Sequence, residues 1–374
     1  MNQTHQFYTQ LKPQCCFNLK QALNPNTAIY DRQIRNQQWE ETWGTEDLTS
    51  TCICLIGINR AEIELSEVGL NPTQTLEALF KLAKRRQYLG GLGLVIWANA
   101  VWDGIPLKEL QRHLSISFDD NLVNHITSIT SMEVAWLASG LLHDYQRTPN
   151  EKTKKYINTA VEALLERYRS DTRLMVHASA RAPMNHRLRR WVANFADQIY
   201  SVQALSFAAI VTGNTLAKQA AENLARQLIE FQGNYGQWWW HYDPRNGHVT
   251  QPYSVYSVHQ HGMVPMALAA LIVAGGPRFT EYADRGRAWL NCNELNISMI
   301  DHDAKTIWRS IDYDQDRLRD LSHKMRSLLG WRAHETSVNS RKLKINFETR
   351  PYEWGWCLYA GAIETDINKK LHIV

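Results

Sequence analysis

Apolar residues along this chain recur at spacings of three and four far more often than they alternate, which is the pattern of helices rather than strands. The spacing predicts helices over 5–22, 48–66, 73–88, 91–103, 107–114, 129–146, 151–169, 193–213, 215–232, 257–275, 279–293 and 353–365. Asn71-Pro72-Thr73 and Thr148-Pro149-Asn150 are start signals, and Gly275-Gly276-Pro277 closes one helix and opens the next. Two kinds of helix alternate. NFADQIYSVQALSFAAI (194–210), YSVHQHGMVPMALAALI (256–272) and YEWGWCLYAGAI (352–363) open polar and aromatic, then turn small and apolar. Helices 151–169, 215–232 and 279–293 carry more charge. A helix apolar all round is buried, and one with a charged face lies outside. The alternation therefore predicts an all-α fold, a single α/α toroid with an inner and an outer ring, in one domain over 1–374. Its pocket is framed by the N-terminal ends of the inner helices, and a stacked solenoid is the alternative. Loops are expected over 114–128, 171–192 and 300–350, the last carrying Asp312, Asp314, Asp316 and Arg317.

Composition narrows the function. Of 374 residues 44% are hydrophobic and 21% charged, an ordinary globular balance. A net charge of +4 with scattered basic residues argues against a nucleic-acid partner. The six cysteines, at 15, 16, 52, 54, 292 and 357, have no zinc spacing, and the opening residues are polar. Reduced thiols in a cytoplasmic protein follow. The longest apolar run, around 266–274, is too short to span a bilayer. No phosphate-binding glycine loop, acidic metal box or serine elbow occurs, so no metal or other cofactor is expected. Fourteen tryptophans point to an aromatic-lined cavity or an oversized core.

Several stretches bear chemistry. Asp103 ends a run, 92–102, whose one polar side chain is Asn99, a helical turn back. A carboxyl in apolar surroundings stays protonated and can act as a general acid. Asn99 would orient it, with Trp97 and Trp102 alongside. The plainer reading is that Asp103 closes the helix beside Gly104. Trp239, Trp240, His241 and Tyr242 follow one another and can reach a cavity. Tyr253, Tyr256, His259 and His261 cluster where an inner helix begins. Two residues apart on a helix, the histidines diverge, which suits a metal poorly and a hydrogen-bonding pair in the pocket better. Asp197 reads first as a cap, while Glu353, beside Trp354, is either a cap or a second proton carrier. Glu133 and Asp47 are weaker candidates of the same kind.

The segment QGNYGQW contains Q-x-x-x-G-x-W as Gln232, Gly236 and Trp238. It resembles the QW motif of terpenoid cyclases. With ANAVWDG, NFADQIYS, SVHQHGM and RPYEWGW, the chain is similar to class II terpene cyclases reduced to one domain, as in cyanobacterial meroterpenoid pathways. Their common D-x-D-D acid is absent, since Asp312-Tyr313-Asp314 is followed by Gln315. The resemblance implies Asp103 as the acid of a metal-free carbocation cascade, an isomerase-type cyclisation. The substrate implied is a linear prenylated aromatic acid, such as a geranylgeranyl dihydroxybenzoate. Trp, Tyr and Phe faces would steady the cation, and Arg181, His186, Arg189 and Arg190 would hold the carboxylate. A peripheral membrane contact through an apolar channel mouth is compatible with it. The competing reading is a carbohydrate-active α/α-barrel enzyme, an epimerase or lyase acting on a polysaccharide. It needs an open polar cleft with two catalytic groups, for example His259 with Glu353.

Overall fold

Helices here start where side chains satisfy the first free backbone N–H groups. Asp47 accepts from the N–H of Ser50, Asn71 from Gln74, Asn150 from Thr153 and Asn214 from Ala217. Thr130 with Glu133, and Asn194 with Asp197, form reciprocal capping boxes. The architecture comes from a computed structural model, which describes residues 3–34, 46–87, 90–314, 322, 325–333 and 342–369.

The main helices are α1 (Gln3–Ala22), α2 (Leu48–Arg60), α3 (Pro72–Arg86), α4 (Leu92–Val101), α5 (Leu107–Leu114), α6 (Phe118–Ser128) and α7 (Ser131–Arg147). They continue as α8 (Glu151–Arg167), α9 (Phe195–Thr212), α10 (Thr215–Glu230), α11 (Val264–Val273), α12 (Thr280–Trp289) and α13 (Pro351–Lys369). Helix α2 packs on α4, α4 on α7, α7 on α9, α9 on α11, α11 on α13, and α13 back on α2. That closes an inner ring. Around it, α1 covers α13, α3 covers α2 and α4, α8 covers α7, and α10 covers α9. The fold is an α/α toroid.

The two ends of the toroid differ. Inner helices lead to the next outer helix through short connections such as 102–106, 148–150 and 213–214. The return connections, 168–194, 231–263 and 290–350, are long and carry short strands. Antiparallel pairing joins Ala193–Asn194, His241–Asp243 and His248–Gln251 in one sheet, and Val255–Tyr256, Ser310–Tyr313 and Leu343–Asn346 in another. These sheets sit above the N-terminal ends of the inner helices. The ring's centre is filled by Trp97, which stacks on His143 at 4.6 Å and meets Phe207, Trp356 and Tyr359 at 5.7–6.3 Å.

Three sequence readings need correction. Helix 48–66 stops at Arg60 and resumes at Leu65–Val68, because Glu62 takes a left-handed turn at φ 48°. Much of 114–128 is helix α6, not loop. Helix 257–275 opens with a π-helical turn, His259–Met263. Pro265 lacks an N–H, so the carbonyl of His261 loses its helical donor and accepts instead from the Tyr8 hydroxyl at 2.6 Å. Among the described residues no helix is long and apolar enough to cross a membrane.

Candidate active site

Asp103 lies at the wrong end of the toroid for the role the sequence proposed. It follows the C-terminus of inner helix α4, on the short-loop end, whereas the site-forming loops crown the N-terminal ends. Its side chain is exposed, and its φ of 47° marks a left-handed turn residue. Asn99 is buried but bonds the turn rather than the acid, donating from Nδ2 to the Ile105 carbonyl at 2.8 Å. Trp102 donates its indole N–H to the Leu55 carbonyl at 3.0 Å. The nearby cavity, about 450 Å³, is bordered by Lys108, Asp144, Arg147 and Lys152, a charged rather than an aromatic wall. Asp103 ends a helix beside Gly104, where a side chain would strike the Asn99 amide. It is not a buried acid.

The other expected aromatic residues divide. Trp97 and Trp354 are completely buried in the ring. Trp239 donates to the Phe231 carbonyl at 2.7 Å and lies edge-on to Tyr253, whose hydroxyl bonds Glu294. Those four build walls. The Q-x-x-x-G-x-W segment is also structural. Gln232 Nε2 donates to the carbonyls of Gly236 (2.8 Å) and Tyr282 (2.9 Å), tying the end of α10 to α12. Asp312 bonds Ser310 and Asn346 across its sheet, while Asp316 and Arg317 lie outside the described residues.

Trp240, Tyr256 and His259 do come together, at the N-terminal end of α11. The half-buried Trp240 ring lies 4.9 Å from Tyr256, 4.9 Å from His241 and 6.0 Å from His259, nearly parallel to the last. Phe195, at the start of α9, backs His259 at 4.6 Å. The Arg309 guanidinium sits 5.2 Å over Tyr256 and pairs with Glu348, which also holds Arg350. His259 Nδ1 and His241 Nε2 are buried and have no hydrogen-bond partner among the described residues. Burial pushes His259 down to about 3, with Arg309 adding to the effect. Burial also lowers His241, to about 4, against the 2.9 Å bond of its Nδ1 to Gln251. The Arg189 charge also opposes a proton on His241, as Arg309 does on His259, and at His241 Asp197 partly offsets it. Two neutral imidazoles thus lie beside one indole.

Behind them stands His177, from the loop after α8, with Nδ1 2.8 Å from Asp197 Oδ2. Asp197 also accepts from the N–H of Met132 and of Asn194, each at 3.0 Å. Its capping role is as expected, and it additionally locks three elements together. Glu133 is likewise occupied by Thr130, and Asp47 by Ser50. The basic loop lies at the rim, where Arg190 covers Trp191 at 4.7 Å and His186 approaches His177 at 5.9 Å; Arg181 is exposed.

His261 does not join His259. The π turn points it away, to Glu353 Oε1 at 3.2 Å, with Cys357 beside it. Burial raises Glu353 to about 7, although its partner His261 opposes the shift. Burial would depress His261, but Cys357 and Glu353 outweigh it and hold it near 9. The expected pocket pair is therefore two separate sites, and the suggested pairing of His259 with Glu353 across one sugar does not form. His241 is among the residues the sequence places at the cavity, whereas His177 and Arg309 are not. His241 follows the WWW run, and a strand register was the signal that could have placed it. His177 and Arg309 lie in loops with no periodicity to orient them.

No protein-family model matches this chain, and no curated protein matches it. Solved structures do match over nearly its whole length. An unsaturated glucuronyl hydrolase from a Bacillus species, responsible for glycosaminoglycan degradation, superposes with TM-score 0.62 at 12% identity, covering 99% of this chain and 98% of that one. A heparin-specific unsaturated glucuronyl hydrolase gives 0.65 at 11%, with 99% of each chain covered. Cellobiose 2-epimerase from Bacillus thermoamylovorans gives 0.60 at 11%, covering 98% and 100%. The likeness is one of fold. It corrects the prenylated aromatic partner and the cyclisation chemistry expected from the sequence resemblance, and lends no support to the membrane contact. Structures of this shape carry the names of sugar enzymes, the expected acid is exposed, and packed rings fill the centre of the toroid.

Proposed function

We propose that this protein is a carbohydrate-active α/α-barrel enzyme, and that its reaction is epimerisation beside a sugar carbonyl. The supporting observation is the pair of buried imidazoles, His241 and His259, each beside Trp240 and each with one nitrogen unpartnered among the described residues. The half-buried Trp240 and Tyr256 rings offer the flat apolar faces on which a pyranose stacks. Glycoside cleavage by the usual route needs two free carboxyl groups across the bond. Asp47, Glu133, Asp197 and Glu348 are each held by caps or arginines instead. Glu353 is taken up by His261, so among these described groups imidazole is the proton carrier beside Trp240.

In this reading His259, kept neutral by burial and by Arg309, removes the proton from the carbon next to the open-chain carbonyl. Arg309 provides the positive charge for the developing enolate oxygen. His241, whose Nδ1 is engaged by Gln251, takes a proton from solvent on Nε2 and returns it to the other face of that carbon, and the proton held by His259 passes to solvent. The His177–Asp197 bond fixes the charge behind His241.

The test is incubation in heavy water with reducing disaccharides, β-1,4-linked neutral ones and unsaturated uronyl ones, followed by NMR. Inversion at the carbon next to the carbonyl, with deuterium incorporated and the glycosidic bond intact, is the expected result. Release of free monosaccharide would instead place the chain with hydrolases. Absence of both from a folded sample would remove the sugar-epimerase reading.

A further inference from the structure

On the far side of the ring wall from Trp240 lies a second chemical cluster. Helices α1 and α13, the first and last of the toroid, approach closely: a Cβ on Gly361 would fall 2.8 Å from Tyr8 Cβ. This proximity brings Cys15 of α1 against Cys357 of α13. Cys357 lies one turn after Glu353 on the same helix and beside His261, so thiol, imidazole and carboxyl adjoin in sequence. His261 Nδ1 is buried and makes no directed hydrogen bond. Both thiols are 1–2% exposed, yet both border a groove of about 410 Å³ that opens between α1, α13 and the end of α2. Lys12 and Arg60 also line it, next to Glu62 and Asp366.

We propose that Cys15 and Cys357 are a peroxide-oxidisable dithiol whose disulfide stitches the first helix of the toroid to the last, with Cys357 as the attacking thiol and Cys15 as the resolving one. A small hydroperoxide enters the groove, which the other buried cysteines, Cys16, Cys52 and Cys54, do not line. The Cys357 thiolate displaces hydroxide from hydrogen peroxide, giving a sulfenic acid, and the hydroxide takes up the proton the thiol released. The Cys15 thiol then attacks that sulfur and expels water. In sum two thiols and one peroxide become one disulfide and two waters; each sulfur loses one electron and the O–O bond takes both. The Cys15 contact, and then His261, favour the Cys357 thiolate and bring its pKa down to about 6, against the cost of burial. Cys15 itself is pushed well up by burial, as suits a resolving thiol held in reserve.

The experiment is stoichiometric hydrogen peroxide on the reduced full-length chain, alkylation at timed intervals, and non-reducing peptide mass mapping. We expect a dithiothreitol-reversible Cys15–Cys357 link that forms about tenfold faster than the exposed Cys292 is oxidised. Cys15→Ser should accumulate a dimedone-trappable sulfenic acid at Cys357, and Cys357→Ser should leave Cys15 as a free thiol. Oxidation of Cys292 while Cys15 and Cys357 stay alkylatable would overturn the proposal, and it requires no variant that could misfold. These readouts are masses of cysteine peptides, so they stand or fall independently of the sugar chemistry.

Discussion

His241 and His259 are the same side chain asked for opposite acts, and their surroundings make the difference. Arg309 opposes a proton on His259 with no carboxylate to answer it, whereas at His241 Asp197 partly offsets the opposing Arg189 charge. Removing either should therefore fail differently. We expect His259→Gln to lose both deuterium exchange and inversion by about a hundredfold or more, the usual worth of a positioned base. His241→Gln should lose inversion to a similar degree while exchange from one epimer persists, because the base remains. NMR of each pure epimer in heavy water measures both rates, and equal loss in both variants would refute the division of labour. At this scale the sequence was legible where chemistry is local. Trp240, Tyr256 and His259 occupy one short stretch at a helix start, and they meet. His177 and His241 reach the site through partners that no local spacing reveals, Asp197 and Gln251. Asp103 misled because an apolar run followed by an acid reads equally well as a buried catalyst and as a helix stop. Chain order decides it: an inner helix whose N-terminus faces the mouth must deliver its last residue to the other end.

At the scale of elements, caps and close crossings place the site. The Asn194–Asp197 box starts α9 and at the same time holds Asp197 for His177 and the Met132 N–H. Asn194→Ala removes the side-chain acceptor for the Asp197 N–H. We expect a loss of about 1 kcal/mol in stability by urea titration. Because Asp197 keeps its three donors, we expect inversion to survive, and a loss as large as that of His241→Gln would show that the cap positions the carboxylate. Helices α2 and α13 cross at Gly57 and Gly355, where a Cβ on Gly57 would lie 2.0 Å from the Gly355 carbonyl oxygen. Gly57→Ala must push two backbones apart, so we expect a loss of about 1–3 kcal/mol or more. A melting temperature matching the parent would mean that the crossing is looser than described. Most helices were readable from periodicity, since each spans two turns or more. The strands were not, because pieces of two to four residues contain too few positions to display a period of two. The π turn at His259–Met263 needed Pro265 and Tyr8 together, residues distant in sequence.

For the whole molecule, a ring closed by its first and last helices with polar groups inside it has a predictable weakness to acid. Among the described residues burial lowers four histidines: His143 and His241 to about 4, His259 to about 3, and His125 in the same direction. In the unfolded chain each returns to an ordinary value near 6.5. Between about pH 4 and 6.5 the unfolded state therefore binds protons that the native state refuses, and stability must fall as pH falls through that window. Glu353, raised by burial to about 7, takes up a proton in the folded state over the same window and offsets about one of these histidines, so the net slope is about 3–4 kcal/mol per pH unit near pH 5, enough to exhaust a stability of 5–15 kcal/mol within a few units. His261 acts in the opposite range: raised to about 9 by Cys357 and Glu353, its contribution is present at neutral pH and fades as pH rises through 9. His143 offers the clean test, because it packs on Trp97 deep in the ring, away from the proposed chemistry. His143→Leu keeps the apolar packing and removes one titrating group. We expect its slope of unfolding free energy against pH, measured by urea titration from pH 4.5 to 6.5, to fall to about half to two thirds of the parent's. An unchanged slope would mean that His143 accepts its proton in the folded ring, and that acid sensitivity arises elsewhere.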